Sequence, residues 1–252
     1  MAAYGVPTHS IDWQSLIPEE HWRAYRCVLH GAVRARIPFA LGGGLAVGVY
    51  TGNSRYTKDV DLYILPQHRS EVTALVTGCG LSDYFDVKPY DREWIYRSHN
   101  GEIIVDAIWA MANQRACVDE DWLVRGPFVR MFDEEFRVVP AEELIWSKIY
   151  VLQRDRCDWP DILNLINATG PALNWNHLLD RAAQDIPLIR GVMSVFAWVS
   201  PERAAELPPE IWRTLNLPEP ENPSDGVANA HRPNLLDTRP WFQENFDSSK
   251  AA

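Results

Sequence analysis

The chain has 252 residues, 46% of them hydrophobic, enough to bury a real core as one large domain or two small ones. Its 34 acidic and 24 basic residues leave a formal charge of −10, which argues against generic, sequence-independent nucleic-acid binding, because that affinity comes from Lys and Arg neutralising phosphates. No apolar run approaches the roughly 20 residues that span a bilayer, and Met-Ala-Ala-Tyr-Gly-Val-Pro lacks the basic and apolar regions of a signal peptide. The expectation is a cytoplasmic protein without a membrane partner. Cys27, Cys79, Cys117 and Cys157 are scattered, form no C-x-x-C pair and read as reduced thiols. The seven histidines make no zinc-type spacing.

In chain order, Pro18 followed by Glu19 and Glu20 starts a helix that runs to about Arg36, since proline suits the first turn and acids complement the dipole. Ile37 to Leu41 reads as a short buried strand entering Gly42-Gly43-Gly44, and Leu45 to Tyr50 as a short helix. Gly44, Gly48 and Gly52 recur every four residues and allow close packing on one helix face. Asp59 to Leu65 is a strand ended by Pro66, and Gln67 to Thr77 an amphipathic helix stopped by Gly78 and Gly80. Tyr84 to Val87 and Glu93 to Ser98 read as strands, and Asn100-Gly101 as the hairpin turn into the strand Glu102 to Trp109.

From Pro140 the pattern becomes helical, at about 140 to 154, 159 to 168, 175 to 184, 186 to 199 and 201 to 214. The predicted fold is α+β: a mixed β-sheet core with flanking helices over 1–138, then a helical C-terminal domain over 139–216. The Pro-, Asn- and Asp-rich stretch 217–252 reads as an extended or poorly ordered tail in which Trp241 and Phe242 are candidates to dock back.

Asp59 and Asp61 stand one residue apart in an apolar strand, so a period of two points both to one face. Two carboxylates there repel and are costly to desolvate, and a divalent cation between them, Mg²⁺ for oxygen ligands, resolves the conflict. Asp106, an acid inside an otherwise apolar strand, needs a partner as well and is a candidate third ligand. The glycine turn opening a helix offers free N–H groups and the positive dipole end to phosphate, or else is only a tight turn. No G-x-x-x-x-G-K-[ST] or G-x-G-x-x-G spacing is present. Lys148 lies four residues from both Leu144 and Leu152, which either aims its cation into the cleft or lets it snorkel from a core helix. Arg55 is either a phosphate contact or an ordinary surface residue, and Asp158 and Asp161 read as N-cap and first-turn acids.

Gly43-Gly44-Leu-Ala, then Gly52, Arg55, Thr57 and Asp59-Val-Asp61-Leu, resembles the signature of the DNA polymerase β-type nucleotidyltransferase superfamily, particularly its small bacterial AbiEii-like branch. The segment from Val139 to Ile162, with Glu142-Glu143-Leu, Lys148 and an Arg/Asp-rich turn, is similar to the helix after the catalytic sheet in that branch. The likeness covers about 39 to 166, with a spacer between Gly44 and Asp59 slightly longer than usual. The resemblance implies a nucleotidyltransferase-like core in which Asp59, Asp61 and Asp106 hold Mg²⁺ as catalytic and metal residues. It further implies that Gly43, Gly44, Ser54 and Arg55 bind a nucleoside triphosphate such as ATP, with Lys148 as a catalytic cation. An acceptor hydroxyl on a small molecule, a tRNA or a protein would take the nucleoside monophosphate with loss of pyrophosphate. The alternatives are a non-catalytic nucleotide- or partner-binding protein of the same fold, such as a toxin–antitoxin component, and, further off, a metal-dependent phosphohydrolase.

Overall fold

The computed structural model describes residues 11–53, 59–220 and 232–236. The chain enters through a single-turn helix α1 (Trp13–Leu16) and the long α2 (Glu19–Ala35), whose first turn carries Glu19 and Glu20 and whose end is set by Arg36 in the left-handed conformation. Strand β1 (Phe39–Leu41) leads through Gly42 into α3 (Gly43–Thr51), and β2 (Asp59–Ile64) follows. Helix α4 (Arg69–Gly78), a two-residue β3 (Ser82–Asp83) and the hairpin β4 (Ile95–Asn100) and β5 (Ile103–Ile108) complete the sheet. Its order is β1-β2-β5-β4-β3, with β2 and β5 parallel and the other neighbours antiparallel. A mixed sheet with flanking helices is the α+β architecture expected from the sequence.

Alternation along β2 divides the two faces of the sheet. Val60, Leu62 and Ile64 are buried, whereas Asp59, Asp61 and Tyr63 point the other way and line a cleft. A short helix α5 (Glu120–Val124) and a hairpin of β6 (Phe128–Met131) and β7 (Glu134–Arg137), neither foreseen from the sequence, lead on from the sheet. The hairpin's exit returns to β1, where the Val139 N–H donates to the Leu41 carbonyl at 2.9 Å. The next helix, α6 (Ala141–Lys148), is buried along its whole length. It is followed by α7 (Trp159–Thr169), α8 (Trp175–Ala182), α9 (Ile186–Val199), α10 (Pro201–Ala205) and α11 (Pro209–Thr214). Buried side chains from Trp13 to Leu215 form one hydrophobic cluster across the sheet and these helices.

The structure departs from sequence expectation in several places. Tyr84–Asp86 is a 3-10 turn capped by the Asp83 side chain, which accepts from the Phe85 N–H, so the aromatic residues there do not extend a strand. The helix expected over 140 to 154 stops at Lys148, because a tight turn bridging Leu152 and Cys157 brings the chain back against it. Leu207-Pro208 divides the helix expected over 201 to 214 into α10 and α11. Cys27 on α2 and Cys79 at the end of α4 form a disulfide, which corrects the reading of all four cysteines as thiols; their separation of 52 residues conceals the packing of the two helices. Cys117 and Cys157 are free and exposed. Most of the expected tail, including Trp241 and Phe242, lies outside the described residues; within it 217–220 and a helix at Arg232–Leu236 are described, and Arg232 donates to the Trp198 carbonyl at 3.0 Å. No helix among the described residues is long and apolar enough to cross a membrane.

Candidate active site

Three strand positions converge because β2 and β5 run parallel in register, pairing Asp61 with Asp106 and Asp59 with Ile104. Carboxylate oxygens of Asp59, Asp61 and Asp106 all lie within 4.8 Å of one another. Asp106 is only 1% exposed, and the other two are half-buried at the cleft surface. Burial drives the Asp61 carboxyl well above the usual carboxylate range, and the charges of Asp59 and Asp106 push it the same way against Lys148 and Arg97. Burial raises Asp106 too, opposed by the hydrogen bonds and charge of Arg97. Three acids offering only oxygen donors at short separation fit a hard divalent cation such as Mg²⁺.

The glycine turn is fitted to this cluster. Gly43 has φ +57°, and a Cβ there would sit 1.6 Å from Asp61 Oδ2, so only glycine satisfies both the backbone and the carboxylate. The Gly42 N–H donates to the Asp61 carbonyl at 3.0 Å, which ties the turn to β2. The N-cap of α3 is Gly42, which has no side chain to cap the first-turn N–H groups, and Gly43 and Gly44 of that turn line the cleft beside the acids. Ser54 and Arg55, the other expected nucleotide contacts, lie outside the described residues.

Lys148 ends α6 at the opposite wall. Its ammonium Nζ is 2.9 Å from Asp158 Oδ2 and 2.9 Å from Asp161 Oδ2. Burial alone would pull its pKa down, but Asp161 and Asp158 override that and hold it above its ordinary value, so the group is charged. Asp158 occupies the N-cap position of α7 without a side-chain capping bond, because its oxygens are taken by Lys148 and by Arg156 Nε and Nη2 at 2.9 and 3.0 Å. The capping role read for Asp158 is therefore replaced by an ion-pair role, and both acids belong to the cleft.

The structure thus brings Asp59, Asp61, Asp106, Gly43, Gly44 and Lys148 together around a cleft of about 1150 Å³. Sequence reasoning missed Arg97, which lies opposite Asp106 in the β4–β5 ladder and donates to both of its carboxylate oxygens, Nε to Oδ1 at 2.8 Å and Nη2 to Oδ2 at 2.5 Å. It also missed Arg156, which lines the cleft. The hairpin register held the signal for Arg97, since a turn centred on Gly101 and Glu102 sets Arg97 against Asp106.

No family model matches the chain, and no curated protein matches it at a significant level. Among solved structures, the chain is similar to the antibiotic-resistance factor ANT(2'')-Ia, at 18% identity and TM-score 0.45, over 68% of this chain and 94% of that one. The lincosamide antibiotic adenylyltransferase LnuA, with lincomycin bound, matches at 19% identity and TM-score 0.41 over 59% of this chain and 96% of its own. An antigenic nucleotidyltransferase-like protein from Paracoccidioides brasiliensis matches at 16% identity and TM-score 0.37, over 71% of this chain and 93% of that one. At these identities and scores the likeness carries no inference about activity.

Proposed function

We propose that the protein is a Mg²⁺-dependent nucleotidyltransferase of the DNA polymerase β type, AbiEii-like branch, moving a nucleoside monophosphate from an NTP to an acceptor with release of pyrophosphate. The observation that carries this is the convergence of Asp59, Asp61 and Asp106 beside the uncapped N-terminus of α3 in one cleft. These three acids would hold the metal, which supplies charge neutralisation and polarisation of the reacting phosphate. The α3 amides around Gly43 and Gly44 would receive triphosphate oxygens through hydrogen bonds and the helix dipole. Asp106, with its proton affinity raised by burial, would accept the proton of the attacking hydroxyl when the acceptor comes within about 3 Å of it. Lys148, fixed between Asp158 and Asp161, would present a permanent positive charge toward the leaving phosphates. We further propose that the strand-bearing part, residues 1–138, carries the metal ligands, and that the helical part, 139–216, supplies the wall facing the acceptor, be it a small molecule, a tRNA or a protein.

The test is transfer of label from an α-labelled NTP, with pyrophosphate measured, across a panel of nucleotides and acceptors. The expected result is metal-dependent turnover abolished by Asp61→Asn and by Asp59→Ala. Tight binding of Mg·NTP with no pyrophosphate from any pairing, or orthophosphate as product, would overturn the proposal.

A further inference from the structure

The Arg97 guanidinium reaches two of the three clustered acids: Asp106 at 2.5 Å and Asp59 at 3.9 Å. Its backbone is pinned by Tyr90, whose hydroxyl accepts from the Arg97 N–H at 3.0 Å and donates to the Arg97 carbonyl at 3.2 Å. Its guanidinium lies 5.8 Å from the centre of the Tyr84 ring, a cation–π contact that helps hold the arm over the sheet. Two consequences follow from this placement. The planar fork holds the Asp106 carboxylate in one orientation beside Asp59 and Asp61. It also sets a fixed positive charge within a few ångströms of any cation held there, and that charge weakens cation binding to the bare cluster.

An incoming triphosphate reverses the balance, because its negative charge offsets the repulsion between the guanidinium and the metal. We infer that Arg97 is a positioning residue that makes metal binding conditional on nucleotide: the cation enters the cluster firmly only in company with the triphosphate. The inference rests on the reading of Asp59, Asp61 and Asp106 as metal ligands. If the acidic cluster does not feel the Arg97 charge, the ion pair stabilises the sheet without altering cation affinity, and the two cases separate on that measurement.

The experiment is Mn²⁺ titration of the full chain by electron paramagnetic resonance, with and without a non-hydrolysable ATP analogue. It is run on the wild type, Arg97→Met, Arg97→Gln, Arg97→Lys and Asp61→Asn, with thermal melts of each. Arg97→Met and Arg97→Gln are expected to bind Mn²⁺ about tenfold or more tighter than the wild type without nucleotide, and to show a smaller gain on adding it. Arg97→Lys, which keeps the charge, is expected to restore weak nucleotide-free binding. Arg97→Gln keeps a hydrogen-bond donor to Asp106, so it carries the test if Arg97→Met does not fold. The inference is overturned if nucleotide-free Mn²⁺ binding by the folded, charge-removing variants equals or falls below that of the wild type while Asp61→Asn abolishes binding. Mn²⁺ binding that survives Asp61→Asn unchanged would instead remove the metal-site reading, and this inference with it.

Discussion

Replacing Gly43 by alanine strains the tightest contact in the cleft. Alanine at φ +57° carries the left-handed backbone cost of about 1–2 kcal/mol. Its Cβ would also fall 1.6 Å from Asp61 Oδ2 and 2.7 Å from the carboxyl carbon, so the carboxylate must withdraw to at least 3.0 Å. Gly80 separates these two effects. It has φ +82° with nothing within 4 Å of its virtual Cβ, so Gly80→Ala carries the backbone strain alone. Gly80→Ala should lose about 1–2 kcal/mol, and Gly43→Ala about 1–3 kcal/mol more for the displaced side chain. In an Asp61→Ala background the extra loss at Gly43 should vanish, giving a coupling energy of the same size. Urea melts followed by the fluorescence of the eleven tryptophans measure the stabilities. Because Asp61 moves by more than an ångström, pyrophosphate release should fall about 100-fold or more in Gly43→Ala while Gly80→Ala stays near wild type. Equal melts for the two glycine variants, together with full turnover of Gly43→Ala, would refute the fit between turn and carboxylate.

Lys148→Met leaves Asp158 and Asp161, 10% and 16% exposed, without their shared ammonium, and should cost about 3–5 kcal/mol in the same melts. Burial works to raise the Asp158 carboxyl, yet the Arg156 hydrogen bond and the Lys148 charge hold it below the usual carboxylate range. Its stabilising effect is therefore complete above the unfolded value of about 4 and lost as pH falls through the folded one. The stability gap between wild type and Asp158→Asn should accordingly be constant from about pH 5 upward and close in acid, as read from melts at stepped pH. Joint replacement of Cys27 and Cys79 by alanine removes a cross-link spanning 52 residues and should cost about 2–4 kcal/mol. Alkylation and mass measurement of the unreduced wild type should find two thiols, those of Cys117 and Cys157.

The elements that read most clearly from sequence are those whose signals are local. The Asp59–Asp61 alternation and the glycine turn each declare themselves within a few residues and sit where expected, and the hairpin signalled by Asn100-Gly101 is present with its turn one residue later, on Gly101-Glu102. Asp106 was visible as an acid out of place in an apolar strand. Arg97 was hidden by a one-residue shift of the turn, which moves the pairing by two: centring the turn on Asn100-Gly101 pairs Asp106 with Ile95, whereas the observed turn centres on Gly101-Glu102, with positive φ at Gly101 alone of the two. Asp158 carried an ordinary N-cap pattern, and only the early end of α6 shows that its carboxylate belongs to Lys148 instead. The β6–β7 hairpin escaped notice because strands of only four residues lack a strong periodic signal. The Cys27–Cys79 bond is a tertiary fact with no local trace at all.

Side-by-side placement of Asp61 and Asp106 on parallel neighbours bears on how this protein can vary over evolutionary time. The crossover from β2 to β4, running through α4 and β3, can gain or lose residues without disturbing the carboxylates, because ladder pairing re-establishes their alignment. A single residue inserted inside either strand between an acid and its ladder partners would instead turn that acid to the opposite face. Drift should therefore accumulate in the crossover and at its surface turns, while the lengths of β2 and β5 stay fixed, so that length variation among descendants of this chain would itself mark where its chemistry resides.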